Sequence, residues 1–181
     1  NIVADLRDEG DKLYQFLLTL NEADWSRTTA FKSWTVNDVV AHLYFSDYLG
    51  VTSYKDAQAF ECFMSEVESS GLTLAAFTRQ WLDNLCGTQM LERWRALFIE
   101  MCDLFANSDP KLRLTWVGPD MGLPMFVTAR LMETWAHSWA IYDLLGAQNV
   151  QTDRIKHIAT IGIRTYQWTF SNRGLPQPGP A

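Results

Sequence analysis

The sequence has few cysteines, no cluster of basic residues and no long apolar run, and each of these gaps argues against a class of protein. The three cysteines, Cys62, Cys86 and Cys102, are far apart and lack CxxC or any other metal-ligand spacing. They therefore favour a reduced, cytoplasmic location and an inert, buried role for each thiol. Fifteen Lys and Arg residues stand against 21 Asp and Glu residues without a basic patch, which argues against nucleic acid and anionic membranes as partners.

The given sequence predicts neither a targeting segment nor a common ligand motif. No apolar stretch approaches the roughly 18 residues that a membrane-spanning helix needs. The acidic first residues, NIVADLRDEGDKL, differ from the basic start and apolar run of a signal peptide. The sequence contains no P-loop, no GxGxxG motif, no heptad run and no internal repeat, so the usual signals for nucleotide binding and for coiled coils are absent.

The residues that are present predict a helical fold with a substantial core. Of the 181 residues, 48% are hydrophobic and 13% aromatic, which excludes a disordered chain and favours one domain. Apolar residues at helical spacing predict helices over 2–20, 36–48, 73–105, 125–145 and 152–170, with Gly87 as a break in the third and Gly146 as the cap of the fourth. Alternation in KLRLTW predicts a short extended crossing segment at 111–116.

These elements predict an all-α fold: an antiparallel four-helix bundle with an additional C-terminal helix and a short extended crossing segment. We expect the bundle to cover residues 1–171. The remaining segment, NRGLPQPGPA at 172–181, is rich in Pro and Gly and is expected to be a tail or a linker to a missing C-terminal domain.

One predicted helix carries an acid and an imidazole among tryptophans, in the stretch RLMETWAHSWAIYD. Glu133 and His137 are one turn apart and therefore lie on one face, which is otherwise largely apolar and should point inward. A buried carboxylate must be paired with a cation or bound to a metal. Arg130, three residues earlier, is one candidate partner for Glu133, and His137 would then be an ordinary core histidine.

The acid-x3-His spacing is uninformative by itself, because Asp38 precedes His42 and Asp153 precedes His157 at the same spacing. His42 is different in that it lies in the strongly apolar stretch DVVAHLYF, whereas His157 is expected at the surface. If the two apolar helices face each other, His42, Glu133 and His137 form a two-histidine, one-carboxylate set. Such a set leaves a coordination position open, as in catalytic zinc sites and in the facial triad of non-haem iron.

Further residues are candidates for supporting roles. Thr35 and Asp38 match a capping box at the start of the second helix, and Asp38 is alternatively a partner of the metal ligands. Arg130 and Asp143 are candidates for orienting the ligands, or are ordinary structural or solvated charges. The residues expected either to line a substrate pocket or to pack in the core are Trp34, Phe45, Tyr48, Trp135 and Trp139. No residue is identified as catalytic.

Two segments carry a family resemblance: WTVNDVVAHL at 34–43 and RLMETWAHSWAIYDLLG at 130–146. They resemble the motifs of the metal-binding domain of mycothiol-dependent maleylpyruvate isomerases, in the DinB-like superfamily of helical bundles, and the resemblance extends from about Asp5 to Phe170. It implies a divalent metal, zinc in the isomerase itself, held at His42, Glu133 and His137. It also implies a low-molecular-weight thiol, such as mycothiol, as cofactor.

The second motif departs from the family pattern, because Ser138 and Ala140 replace the Gly and Asp that commonly follow the histidine. The preferred hypothesis is a cytoplasmic domain that binds zinc, or else Ni, Fe or Mn, and belongs to a thiol-dependent isomerase or thiol S-transferase acting on a small electrophile. The alternative is a non-catalytic binding or dimerisation module, a possible homodimer, in which the three residues form a buried polar network.

Overall fold

The computed structural model describes residues 1–176 and residue 179. Within these residues the chain forms eight α-helices, which are α1 (Ile2–Leu17), α2 (Val36–Lys55), α3 (Ala57–Ser69), α4 (Leu74–Trp81), α5 (Gly87–Ala106), α6 (Leu123–Leu145), α7 (Ile155–Arg164) and α8 (Tyr166–Asn172). A 3-10 helix, Glu22–Ser26, follows α1. An antiparallel pair of strands, β1 (Arg113–Trp116) and β2 (Gly118–Gly122), connects α5 to α6. The predicted all-α fold and short extended segment are confirmed.

The four long helices α1, α2, α5 and α6 build the bundle. Helix α1 packs against α5 and α6, and α2 packs against α5 and, at one place very closely, against α6. That place is Gly50, where an added Cβ would lie 2.5 Å from the Phe126 ring. Because the Phe126 ring occupies the space of a side chain at position 50, α2 and α6 come together there. These are the two helices that carry the candidate metal ligands.

Several element boundaries differ from the sequence prediction. Helix α2 continues to Lys55 rather than ending near residue 48, and α3 was not predicted. The region 73–105 is divided into α4 and α5, in agreement with the break predicted at Gly87, which adopts positive φ at the start of α5. Asp83 and Asn84, in the connection between the two helices, also adopt positive φ. The last predicted helix is likewise divided at Thr165 into α7 and α8. Gly146 ends α6 in the left-handed conformation, as predicted.

The buried apolar side chains form two clusters. The larger one fills the bundle between α1, α2, α5 and α6, with Trp94, Phe98 and Phe126 as its largest fully buried members. A smaller cluster, centred on Phe45, lies where α3 and α4 pack on α2. The fold thus places α2 between two apolar layers, which explains why so many of its residues are buried.

The burial of the three cysteines differs in part from the sequence prediction. Cys102 is buried, and burial raises the pKa of its thiol to about 12. Cys62 and Cys86 are exposed, so the expectation of burial is wrong for these two.

The predicted linker 172–181 begins at the end of α8, but residues 177, 178, 180 and 181 lie outside the described residues, and a following domain stays a prediction. No helix in the described ranges has the length and hydropathy of a membrane span.

Candidate metal centre

The structure brings His42, Glu133 and His137 together, although they come from two helices. His42 Nε2 on α2 lies 3.3 Å from Glu133 Oε2, and His137 Nε2 lies 3.1 Å from the same oxygen. One potential ligand atom from each of the three residues lies within 4.8 Å of the others, and all three residues are partly buried. The arrangement is therefore compact enough for a single ion to contact all three side chains.

Local sequence explains why the three side chains converge. Glu133 and His137 are one turn apart on α6, which places them on one face. The start of α2 is fixed by a capping box in which Thr35 Oγ1 accepts a hydrogen bond from the Asp38 amide and Asp38 Oδ2 accepts one from the Thr35 amide. That cap, predicted from the sequence, fixes the residue at which α2 begins. Further along α2, the ring of His42 faces Glu133 on α6.

The pKa values of Glu133 and His42 are both shifted in the direction that metal binding requires. Hydrogen bonds from His137 and His42 hold the pKa of Glu133 far below its ordinary value of 4.5. Burial lowers the pKa of His42 below 6.5. The hydrogen bond to Glu133 acts in the opposite direction but is the smaller effect. Near neutral pH the site therefore presents an ionised carboxylate and a neutral His42 imidazole, which are the protonation states that a metal ion needs.

Arg130 does not pair with Glu133, so that alternative from the sequence is wrong. Its Nε donates to Asp47 Oδ1 on α2 at 2.9 Å, and Trp94 Nε1 donates to the other carboxylate oxygen at 3.0 Å. The Asp47 side chain is 0% exposed and that of Arg130 3%, so the buried acid requires this cation. Complete burial raises the pKa of Asp47, and the guanidinium of Arg130 opposes that rise. Asp47 was missed by sequence analysis, although an acid among apolar residues of α2 was a usable signal.

The side chains of Asp38 and Asp143 form no hydrogen bond or ion pair with His42, Glu133 or His137 either. Besides capping α2, Asp38 forms a bidentate ion pair with Arg79 of α4, with two N–O distances of 2.6 Å. Asp143 is exposed, and its side chain makes no hydrogen bond or ion pair with the described residues. Asp38 thus joins α2 to α4, and Asp143 has no orienting role toward the ligands.

We expect Asp38→Asn to lower the free energy of unfolding by about 1–2 kcal/mol at pH 7, because it weakens a helix cap and a charge-assisted pair. Burial raises the pKa of Asp38, but the bonds from Arg79 and Thr35 outweigh burial and bring it below 3.8. A lowered carboxyl pKa stabilises the fold above the unfolded-state pKa, and this contribution disappears as the pH falls through the folded-state pKa. Urea unfolding at pH 7 and pH 3 measures the difference, which should shrink in acid.

The exposed Asp143 supplies the control for this measurement. Asp143→Asn should leave the free energy of unfolding within about 0.5 kcal/mol at both pH values. A difference between wild type and Asp38→Asn that stays constant from pH 7 to pH 3 would contradict the assigned role of the Asp38 carboxylate.

The predicted pocket residues divide into two groups. Trp34 lies at the site, with its ring centroid 5.2 Å from that of His42 and 6.0 Å from that of His137. Phe45 and Tyr48 lie elsewhere: both contact Phe63, in the aromatic layer formed by α3 and α4. That layer rests on helix α3, which the sequence did not reveal, so their position could not be predicted.

Trp135 and Trp139 also point away from the three residues. Their rings meet edge to face with centroids 6.4 Å apart, and Trp135 Nε1 donates to Gln151 Oε1 at 2.7 Å. These two tryptophans therefore anchor the segment after α6 and do not line the candidate site.

Phe31 is a site residue that sequence analysis missed. Its ring meets that of His137 edge to face at 5.0 Å and that of Trp34 at 5.3 Å. The loop between them has Lys32 and Ser33 at positive φ, and it is closed by a hydrogen bond from the Trp34 amide to the Phe31 carbonyl. The signal lies in FKSW, directly before the capping box. Phe31 and Trp34 together form an aromatic rim over the two histidines.

Known proteins resemble this chain in sequence and in fold. Residues 6–142 match the family model described as the mycothiol maleylpyruvate isomerase N-terminal domain. Two uncharacterized proteins of Mycobacterium tuberculosis, from strains CDC 1551 / Oshkosh and ATCC 25618 / H37Rv, are each 31% identical over 177 residues, or 97% of this chain and 68% of theirs.

Two crystal structures are similar in fold: the mycothiol-dependent maleylpyruvate isomerase, with a TM-score of 0.70, and a histidine-to-alanine mutant of it, with 0.69. Each is 11% identical in sequence, and the match covers 97% of this chain and 72% of that chain. The likeness confirms the predicted helical-bundle fold. From the extent of the family match and the identity to the mycobacterial relatives, the chain belongs to the mycothiol maleylpyruvate isomerase N-terminal domain family.

Proposed function

We propose that this domain binds one divalent metal ion, with zinc as the preferred candidate, through His42, Glu133 and His137. The observation that carries the proposal is the convergence of two imidazole nitrogens and one carboxylate oxygen within 4.8 Å. Three such ligands with a position left open are typical of catalytic zinc. The same donor set also suits iron, nickel or manganese, so the donors alone do not select the metal.

The surroundings of the three ligands fit an ion that remains accessible from one side. The Glu133 side chain is 31% exposed, whereas those of His42 and His137 are 16% and 12% exposed. The aromatic rim of Phe31 and Trp34 shields the two imidazoles from water. A substrate would therefore reach the ion from the side of Glu133.

We further propose that the domain serves a thiol-dependent isomerase or S-transferase of the cytoplasm, acting on a small electrophile. The family name supports mycothiol, or a related low-molecular-weight thiol, as the co-substrate. When bound, a divalent metal lowers the pKa of a thiol that coordinates it and so supplies a nucleophile at neutral pH. The chain's own part is to hold the ion with two neutral imidazoles and one carboxylate, and to exclude water on the side of the aromatic rim.

Metal analysis of untagged, natively purified protein tests the first part. We expect about one ion per chain, or uptake of about one zinc ion per metal-free chain, as three converging ligands predict. Protein that neither carries metal nor takes up zinc or nickel would contradict the proposal.

Cobalt-substituted protein tests the thiol. Adding N-acetylcysteine should produce thiolate-to-cobalt charge-transfer absorption, and the same addition to His42→Ala protein should not. A spectrum that does not change on adding the thiol would remove the thiol from the proposal but leave the metal site.

One observation favours a second candidate function. Both histidines hydrogen-bond to Glu133, so the three residues can serve as a polar network in a non-catalytic binding or dimerisation module. In that case His42→Ala should lower stability without changing metal content. Sedimentation tests the possible homodimer, because a strict monomer at high concentration contradicts dimerisation.

A further inference from the structure

A small cavity lies directly behind His42, between α2 and α4. Apolar atoms of Ala41, Leu74 and Ala75 line part of it, and His42 and Thr78 line the rest together with Trp34 and Asp38. The volume open to the centre of a water-sized sphere is about 10 Å³, which is close to the space that one water molecule occupies. The cavity therefore has room for one water molecule and for little else.

Two buried polar atoms belong to this cavity's lining residues and have no hydrogen-bond partner among the described residues. They are His42 Nδ1 and Thr78 Oγ1, and Thr78 is only 3% exposed. Other helical threonines behave differently: Thr134 Oγ1, for example, donates to the carbonyl of Arg130. A buried polar atom without a partner costs about 1–3 kcal/mol, and ordered water commonly satisfies such atoms.

The imidazole of His42 needs a partner at Nδ1 that can reverse its role. Where Nε2 faces the ionised Glu133 carboxylate, which only accepts, Nε2 carries the ring proton and Nδ1 is an acceptor. If Nε2 were to hold a metal through its lone pair, the neutral ring would carry its proton at Nδ1, which would be a donor. A carbonyl or a carboxylate could serve only the second state. A water molecule and a hydroxyl can each donate or accept, so they suit both states.

We propose that one water molecule binds in this cavity between His42 Nδ1 and Thr78 Oγ1, and that Thr78 is a positioning residue for the metal ligand His42. Ordered partners of a ligating imidazole orient the ring and raise its basicity. The role of Thr78 toward the metal rests on the proposed function. The water site itself does not, since it follows from the two buried polar atoms and the volume beside them.

Two variants of matched shape test the proposal. Thr78→Val keeps the volume of the side chain and removes the hydroxyl, whereas Thr78→Ser keeps the hydroxyl. In metal-free protein labelled with ¹⁵N, we expect the His42 Nδ1 resonance of Thr78→Val to move toward the position of a lone pair without a hydrogen bond, and that of Thr78→Ser to stay near wild type. We expect the zinc affinity, measured against a chelator, to fall about 10-fold or more in Thr78→Val and to change less than about twofold in Thr78→Ser.

The Nδ1 resonance and the zinc affinity are independent measurements, so they distinguish an error in the proposed water site from an error in the proposed metal site. If wild type binds no zinc, the proposed function fails, and the ¹⁵N resonance alone decides the water site. An unchanged Nδ1 resonance in Thr78→Val, or an empty cavity in a high-resolution crystal structure of wild type, overturns the water site. A shifted resonance with unchanged zinc affinity overturns the positioning role. An increase in stability of Thr78→Val would also contradict the proposal, because it would mean that the hydroxyl had no partner.

Discussion

Replacing Glu133 with glutamine is expected to lower the zinc affinity by on the order of 100-fold or more, because even the loss of a group that merely orients a ligand costs roughly 10- to 100-fold. The amide has the shape of the carboxylate but no charge. Its oxygen can still accept a hydrogen bond from His42 or His137, which now both face Glu133 Oε2. The free energy of unfolding of the metal-free protein should also fall, by about 1–3 kcal/mol, because the hydrogen bonds that lower the pKa of Glu133 favour its ionised form in the folded protein.

Chemical unfolding with and without zinc measures both effects. Free zinc at about 100 times the dissociation constant should stabilise the wild type by about 2.7 kcal/mol, and the same concentration should hardly stabilise Glu133→Gln. The control is Asp143→Asn on the same helix, which removes an exposed acid and should keep the full zinc effect. A Glu133→Gln protein that zinc stabilises as much as wild type would exclude Glu133 as a ligand.

The second large effect is expected at the buried ion pair behind the site. Arg130→Met leaves Asp47, which is 0% exposed, without its cation, and an uncompensated buried charge typically costs about 3–5 kcal/mol. Burial alone raises the pKa of Asp47, and the variant removes the guanidinium that opposes that rise. A raised carboxyl pKa favours the fold below the unfolded-state pKa, and that contribution is lost as the pH rises through the folded-state pKa. The variant should therefore lose less stability in acid than at pH 7.

A double-mutant cycle separates the charge from the packing. Asp47→Asn keeps an oxygen acceptor for Trp94 and removes the charge, so Asp47→Asn combined with Arg130→Met should be more stable than Arg130→Met alone. Urea unfolding of the four proteins gives the coupling energy directly. If Arg130→Met costs less than about 1 kcal/mol, or if the second substitution adds its full separate cost, the two residues are not a coupled pair.

Sequence reasoning succeeded where a periodic pattern or a local cap determines the structure. The capping box of Thr35 and Asp38 and the left-handed cap at Gly146 were predicted because each depends on a few adjacent residues. The sequence predicted the convergence of His42 with Glu133 and His137 only on the condition that two apolar helices face each other, and the family resemblance implied the same three ligands. The spacing within α6 did not reveal it, since all three histidines have an acid four residues before them.

The partners of the charged residues could not be predicted, because they depend on which residues of different helices lie at the same height along the bundle axis. Arg130 is three residues from Glu133 in sequence but donates to Asp47, 83 positions away. Phe31 was missed because its loop has no periodicity and its path depends on two residues with positive φ. For Phe45 and Tyr48 the sequence left open a role in a pocket or in the core. Both pack against Phe63 of α3, and this contact could not be predicted because α3 has few buried residues and gave no clear pattern.

The sequence distance between the two ligand-bearing helices affects how an ion would act during folding. His42 and Glu133 are separated by 91 positions, and α3, α4, α5 and both strands lie between them. Bringing such distant positions together in an unfolded chain is costly in entropy, so an ion cannot assemble this site from adjacent residues as it does in a zinc finger. The ion would recognise α2 and α6 only after they have docked, and contacts made late in folding chiefly slow unfolding. Metal would therefore prolong the lifetime of the folded domain without guiding how that fold is reached.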